Sequence, residues 1–268
     1  MKMFASDLDR TLIYSQRALE TLQTPLTEKM LPVEKRNNED ISFMTKESFF
    51  LLRELAKEWL FVPVTTRTYE QYKRVFIFEK EISVDYSVTN NGSHIYYRGK
   101  LIKEWKTKVL FRLEEECIKK ELLLKQLEKF NIKGLLKIAD DLFFYYILNQ
   151  QLSADEKNRM AEMAKAVGWK VSLQGKKLYF MPVPICKGEA IQYIQKREGI
   201  ATVFGAGDSI LDEPLLAVCD SAFIPRHGEL AMKWKNENSH DDLTKSNGAY
   251  AGEEIVQHIH RLFALSRN

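Results

Sequence analysis

What most limits the fold of this chain is the order in which short apolar runs and helical patterns alternate along it. "MKMFASDL" (1–8) stops at acid and "WLFVPVTT" (59–66) stops at hydroxyls, and each reads as a buried strand. Between them, "TKESFFLLRELAKE" (45–58) opens with Thr45 as a candidate N-cap and carries Leu52, Leu55, Ala56 and Trp59 at helical spacing. A further helix is expected over 68–79, with strands over 85–89, 201–207 and 220–225. Such alternation predicts an α/β fold, a doubly wound parallel sheet with helices on both faces.

The segment 106–182 departs from that pattern. It reads as one long helix, "KVLFRLEEECIKKELLLKQLEKF", the strands "LLKIA" and "LFFYYIL", a second helix, "SADEKNRMAEMAKAV", and the strands "WKVSL" and "KLYFMPV". Helix, strand, strand is given twice, and strands joined so closely are expected to be antiparallel. The expected organisation is a core of residues 1–105 and 183–268 with an inserted α+β domain at 106–182. Ser15 to Met44 has no clear periodicity, and "PVEKRNNED" (32–40) is expected to be an exposed loop.

Composition excludes several classes of partner. Lys and Arg total 40 against 37 Asp and Glu, a net of +3 with no basic stripe for a nucleic-acid backbone. Cys117, Cys186 and Cys219 form no C-x-x-C pair, so no disulfide framework or thiolate metal cage is expected, and a reducing cytoplasm fits. No secretory leader and no uncharged apolar run of about 18 residues is seen, so no membrane partner is expected.

The chemistry gathers where strands end. Asp7 and Asp9 follow the first strand, Thr65, Thr66 and Arg67 the second, and Asp208 and Asp212 a later one, while Lys187 opens a helix. In open parallel sheets ligands sit beyond the carboxyl ends of the strands. If these residues converge, carboxylates, hydroxyls and cations share one site, an inventory that suits a phosphate with a magnesium ion.

At these residues the chain resembles the haloacid dehalogenase-like phosphatase superfamily. "DLDRT" matches its D-x-D-x-T motif, "VPVTTR" resembles its second motif, Lys187 in "CKGEAI" its third and "GDSILD" its fourth, in the family's order. The insertion lies where type II members carry a cap, and resembles the smaller cap of sucrose-phosphate phosphatases, mannosyl-phosphoglycerate phosphatases and phosphomannomutases. The resemblance implies that Asp7 is the nucleophile and Asp9 the acid and base. The Asp7 side chain, the Asp9 carbonyl and Asp208 would hold Mg2+, and Asp212 and Ser209 would hold metal waters or Lys187. Thr65 would bind phosphoryl oxygens and Lys187 neutralise their charge. Thr11, Thr66, Arg67, Asn90, Asn91 and, in the lid turn "LQGKKL", Gln174 and Lys176 are candidate substrate-binding residues.

The chain departs from the family's common pattern at Arg10 and Thr66, where many members have Gly, at Leu211, and in the length of the 15–44 excursion. The expected activity is hydrolysis of a small phosphorylated metabolite, a sugar phosphate favoured, by a monomer or homodimer. A phosphomutase, and a binding module on a phosphatase scaffold, are the alternatives.

Overall fold

The computed structural model describes residues 1–234 and 243–265. It divides into two compact units, Met1–Leu101 with Lys187–Asn268, and Ile102–Cys186. Before the insertion run β1 (Lys2–Ser6), β2 (Tyr14–Ser15), β3 (Met30–Arg36), β4 (Glu39–Thr45), β5 (Leu60–Pro63), β6 (Tyr86–Thr89), β7 (His94–Tyr97) and β8 (Lys100–Leu101). The inserted unit carries β9 (Gly134–Ala139), β10 (Phe143–Leu148), β11 (Trp169–Gln174) and β12 (Lys177–Pro182), and β13 (Thr202–Ala206) and β14 (Ser221–Phe223) follow it.

The first unit is built on a parallel sheet in the order β14–β13–β1–β5. A parallel bridge between Val64 and Val88, with the Thr65 N–H donating to the Val88 carbonyl at 2.9 Å, places β6 beside β5. Phe61, Phe4 and Phe204 lie side by side across three strands and pack on Leu52 and Leu55 of helix Lys46–Leu55 and on Ile255 and Ile259 of helix Gly248–Leu265. Met3, Ala5, Val62 and Val203, on the opposite face, are equally buried, which explains why these strands read as unbroken apolar runs. Each such large side chain contributes about 1.5–3 kcal/mol by leaving water. Helix Lys46–Leu55 starts where the sequence indicates, with Thr45 Oγ1 accepting the Ser48 N–H at 3.2 Å.

Three local expectations are corrected. The helix expected over 68–79 is two short ones, Tyr69–Tyr72 and Ile77–Lys80, because the Arg74 carbonyl accepts the Lys35 N–H from β3 at 3.2 Å instead of serving a continuous helix. "PVEKRNNED" is not a loop but most of the antiparallel hairpin β3–β4, closed by Asn37 and Asn38 at φ 51° and 64°, conformations that Asn tolerates better than most residues. The long helix of the insertion breaks at Cys117 into Lys103–Glu116 and Lys120–Leu127. There the Ile118 N–H reaches the Val167 carbonyl at 3.1 Å, and the Trp169 indole N–H reaches the Ile118 carbonyl at 2.9 Å.

The inserted unit is an antiparallel sheet in the order β11–β12–β10–β9. Phe144 stacks on Phe180 at 5.0 Å, and Leu123, Leu127 and Met160 of its helices are buried. Among the described residues no helix is long and apolar enough to cross a membrane.

Candidate active site

The site begins where β1 runs out. The Asp7 N–H donates to the Ala206 carbonyl at 2.9 Å, so the ends of β1 and β13 are level and Asp7 and Asp208 leave the sheet together. The chain then turns sharply: the N–H groups of Thr11, Leu12 and Ile13 converge on the Leu8 carbonyl, and Arg10 sits at φ 65°. His227 braces this turn. Its Nε2 donates to the Arg10 carbonyl at 2.9 Å while the Gly248 N–H donates to its Nδ1 at 3.1 Å, which fixes a neutral ring. Burial lowers the His227 pKa to about 4, in keeping with that tautomer.

Lys187 ties two strand ends together. Its Nζ donates to Asp7 Oδ1 at 2.6 Å and to Asp212 Oδ1 at 2.5 Å, and Thr11 Oγ1 donates to Asp7 Oδ2 at 3.3 Å. The second Asp212 oxygen accepts from the Ser209 N–H at 2.9 Å and Oγ at 2.8 Å. Asp208 is 3.4 Å from Arg10 Nε. One carboxylate oxygen each from Asp7, Asp208 and Asp212 lies within 4.8 Å of the others, and all three residues are buried.

This closeness depends on glycine. A Cβ on Gly188 would stand 2.0 Å from the Pro214 carbonyl oxygen, so only glycine lets helix Lys187–Glu198 approach the turn that carries Asp212.

The electrostatics are unbalanced. Three buried carboxylates face one buried ammonium and the half-exposed Arg10. Burial, then the charge of Asp212, pushes the Asp7 carboxyl up to about 7 against the pull of Lys187. Burial and Asp7 raise Asp208 well above its ordinary value. Burial opposes the charge on Lys187, but Asp212 and Asp7 more than offset it and hold the ammonium above its ordinary range.

Asp9, close enough for its charge to act on Asp7, takes a different partner. Its carboxylate accepts from Arg67 Nε at 2.8 Å and Nη2 at 2.7 Å, and its side chain is 48% exposed. Thr65 is buried, its Oγ1 accepting the Arg67 N–H at 3.1 Å, while Thr66 is partly exposed. The N–H groups of Asn90 and Asn91, both at positive φ, donate to the carbonyls of Arg67 at 2.8 Å and Thr65 at 3.0 Å, pinning the end of β6 to the end of β5. The Asn90 amide meets His94 Nδ1 at 2.7 Å.

Gln174 and Lys176 belong to the inserted unit. Lys176 is exposed in the turn between β11 and β12, and the Gln174 side chain lies outside what the structure describes. Residues around the site that sequence reasoning did not single out are Glu34, Ser42, Arg74 and His227. The Asn-Asn pair between "MLPVEKR" and "EDISFMT" was an available hairpin signal for the first two.

The profile of the sucrose-6F-phosphate phosphohydrolase family matches residues 1–260. No curated protein sequence matches the chain. Among solved structures, the sucrose-phosphatase of Synechocystis sp. PCC6803, in complex with sucrose and phosphate, superposes with a TM-score of 0.69 at 21% identity, covering 96% of each chain. A haloacid dehalogenase-like hydrolase from B. subtilis superposes at 0.59 with 16% identity, over 97% of this chain and 100% of that one. A subclass IIB sugar phosphatase of the same superfamily superposes at 0.58 with 13% identity, over 97% and 99%. At these identities the structural likenesses establish a shared fold, a haloacid dehalogenase-like core with a cap domain. With the family profile spanning nearly its whole length, the chain belongs to the sucrose-6F-phosphate phosphohydrolase family and is a phosphatase.

Proposed function

We propose that the chain is a magnesium-dependent phosphomonoesterase that cleaves a small sugar phosphate through a phosphorylated Asp7, with residues 106–182 as its cap. The observation that carries this reading is the buried cluster of Asp7, Asp208 and Asp212 around Lys187. Its donors are all oxygen, and its uncompensated negative charge calls for a hard cation. Both Asp212 oxygens are engaged by Lys187 and Ser209, so Asp7, Asp208 and the Asp9 carbonyl would hold the ion. When bound, magnesium neutralises phosphoryl charge and aligns the phosphate.

The protein's own groups supply the rest. An Asp7 carboxylate oxygen attacks phosphorus; the bond from phosphorus to the ester oxygen breaks, and Asp9 gives that oxygen a proton. Water then attacks the phosphoaspartate, its proton passing to Asp9, and the acyl–phosphate bond breaks to release inorganic phosphate and restore Asp7. Lys187 holds Asp7 and offsets the charge that builds on the phosphoryl oxygens. Thr65, next to the Arg67 turn, offers a hydroxyl to those oxygens. The sugar-phosphate preference is supported by the family match and by the relative crystallised with sucrose and phosphate.

The test is phosphate release from sugar phosphates, nucleotides and p-nitrophenyl phosphate, with magnesium and with chelator, by the wild type and Asp7→Asn. Turnover of a sugar phosphate that chelator and Asp7→Asn both abolish is expected. A folded, magnesium-binding wild type that releases nothing, with or without a sugar bisphosphate activator, would overturn the reading.

A further inference from the structure

The long excursion after β1 delivers a carboxylate to the second aspartate of the site by way of an arginine. Glu34, on β3, is 1% exposed although its neighbour Val33 is fully buried as well. Two adjacent residues of a regular strand point to opposite faces, so a buried carboxylate beside a buried valine needs either cover on both faces or a local departure from regularity. The register slips on both sides of Glu34, between Pro32 and Glu34 and again between Glu34 and Lys35, and such bulges re-aim a side chain.

The inward carboxylate is hydrogen-bonded through Oε2 and ion-paired through Oε1. Ser42 Oγ, across the hairpin, donates to Glu34 Oε2 at 2.6 Å; Arg74 Nε lies 3.2 Å from Oε1; Arg67 Nη1 lies 2.9 Å from Oε1 and its Nη2 donates to Oε2 at 3.0 Å. The other edge of the same guanidinium holds both oxygens of Asp9. Arg67 Nε and Nη2 are thus hydrogen-bonded to the two carboxylates and Nη1 is ion-paired with Glu34 without a hydrogen bond of its own, so the planar fork cannot turn without breaking contact with one carboxylate or the other.

Stability does not account for this arrangement. An Arg–Asp pair whose acid is half exposed is worth little, and a buried carboxylate with its arginines is no better for stability than apolar packing. What the arrangement does provide is a fixed position for a carboxylate that would otherwise sample several rotamers at an open turn.

We propose that Glu34, acting through Arg67, is a positioning residue for Asp9 in its proton transfers, and that the β3–β4 hairpin is the device that supplies it. This rests on the reading of Asp9 as acid and base. Displacing a proton carrier harms an ester in proportion to its need for a proton: an alkoxide leaves poorly without one, whereas p-nitrophenolate leaves unaided.

The experiment compares Glu34→Gln, Arg67→Lys and Arg67→Ala with the wild type and Asp9→Asn. It reads kcat and KM for the best sugar phosphate of the panel, the single-turnover burst of p-nitrophenolate from p-nitrophenyl phosphate, and the melting temperature of each protein. Expected are a loss in kcat of about 10- to 100-fold on the sugar phosphate with KM within about twofold, and a loss of less than about threefold in the burst. Millimolar guanidinium is expected to restore part of the lost kcat to Arg67→Ala but none to Asp9→Asn. If Glu34→Gln does not fold, Arg67→Lys, which keeps the buried charge balance but not the fork, carries the same comparison. Equal losses on both esters, or a change in KM or melting temperature alone, with Asp9→Asn inactive, would overturn the positioning role and leave the reading of Asp9 intact. Full sugar-phosphate activity in Asp9→Asn would remove the reading and the inference together.

Discussion

Lys187 touches Asp7 and Asp212 at once, and its replacement by Met would leave three carboxylates crowded within 4.8 Å with no ammonium among them. Lys187→Met is expected to lower kcat by about 10²–10³-fold and to destabilise the protein by about 3 kcal/mol, read by steady-state assay and urea unfolding. His227 gives a prediction with a pH sign. Its folded pKa, about 4, lies below that of an unfolded histidine, so its contribution to stability is complete above about pH 6.5 and is lost as pH falls towards 4. The loss is about 2 kcal/mol once partial exposure is allowed for, and a His227→Gln variant should lack this part of the decline in unfolding titrations between those pH values. Asp7, Asp9, Lys187, Asp208 and Asp212 could be singled out from the sequence because they recur at the ends of apolar runs and at a helix start in the order of the motifs they resemble, which turn formation or helix capping at any one of them would not produce. Glu34 and His227 could not. The inward aim of Glu34 comes from two slips in strand register, and the neutral ring of His227 from an N–H of Gly248, distant in sequence.

Elements were legible where their own residues decide them and illegible where a distant backbone group does. Helix Lys46–Leu55 begins at its Thr45 cap, and helix Ala154–Lys165 at Ser153 with Glu156 completing a capping box; both follow from local chemistry. No glycine or proline marks the break at Cys117, which exists because carbonyls and N–H groups of residues 167–169 claim the chain there. Gly188 shows the converse, a helix residue chosen for what lies outside the helix. Ala at that position would favour the isolated helix by about 1 kcal/mol, yet its Cβ would fall 2.0 Å from the Pro214 carbonyl oxygen. Gly188→Ala is therefore expected to lower the melting temperature and to cut kcat by parting Lys187 from Asp212, a combination that thermal unfolding and assay together would detect. Unchanged values for both would mean that the two elements slide past each other freely.

At the scale of the whole molecule, the parallel sheet and the repeated helix, strand, strand unit were readable because alternation survives small errors in where each element ends. The charge balance of the site extends to global stability: raised Asp7 and Asp208 carboxyls mark a cluster that resists full ionisation without a cation. Magnesium at a hundredfold its dissociation constant is expected to stabilise the wild type by about 2.7 kcal/mol, and Asp208→Asn by much less, as seen in thermal unfolding with and without chelator. The pairing of β1 has a further consequence, for the order of events during synthesis. Lys2 pairs with Thr202 on one side of β1 and Met3 with Leu60 on the other, so the insertion is made before the sheet can close. During synthesis Asp7 and Asp9 thus emerge well before Lys187 and Asp208, and the cluster of Asp7, Asp208 and Asp212 around Lys187 cannot assemble until β13 has paired with β1.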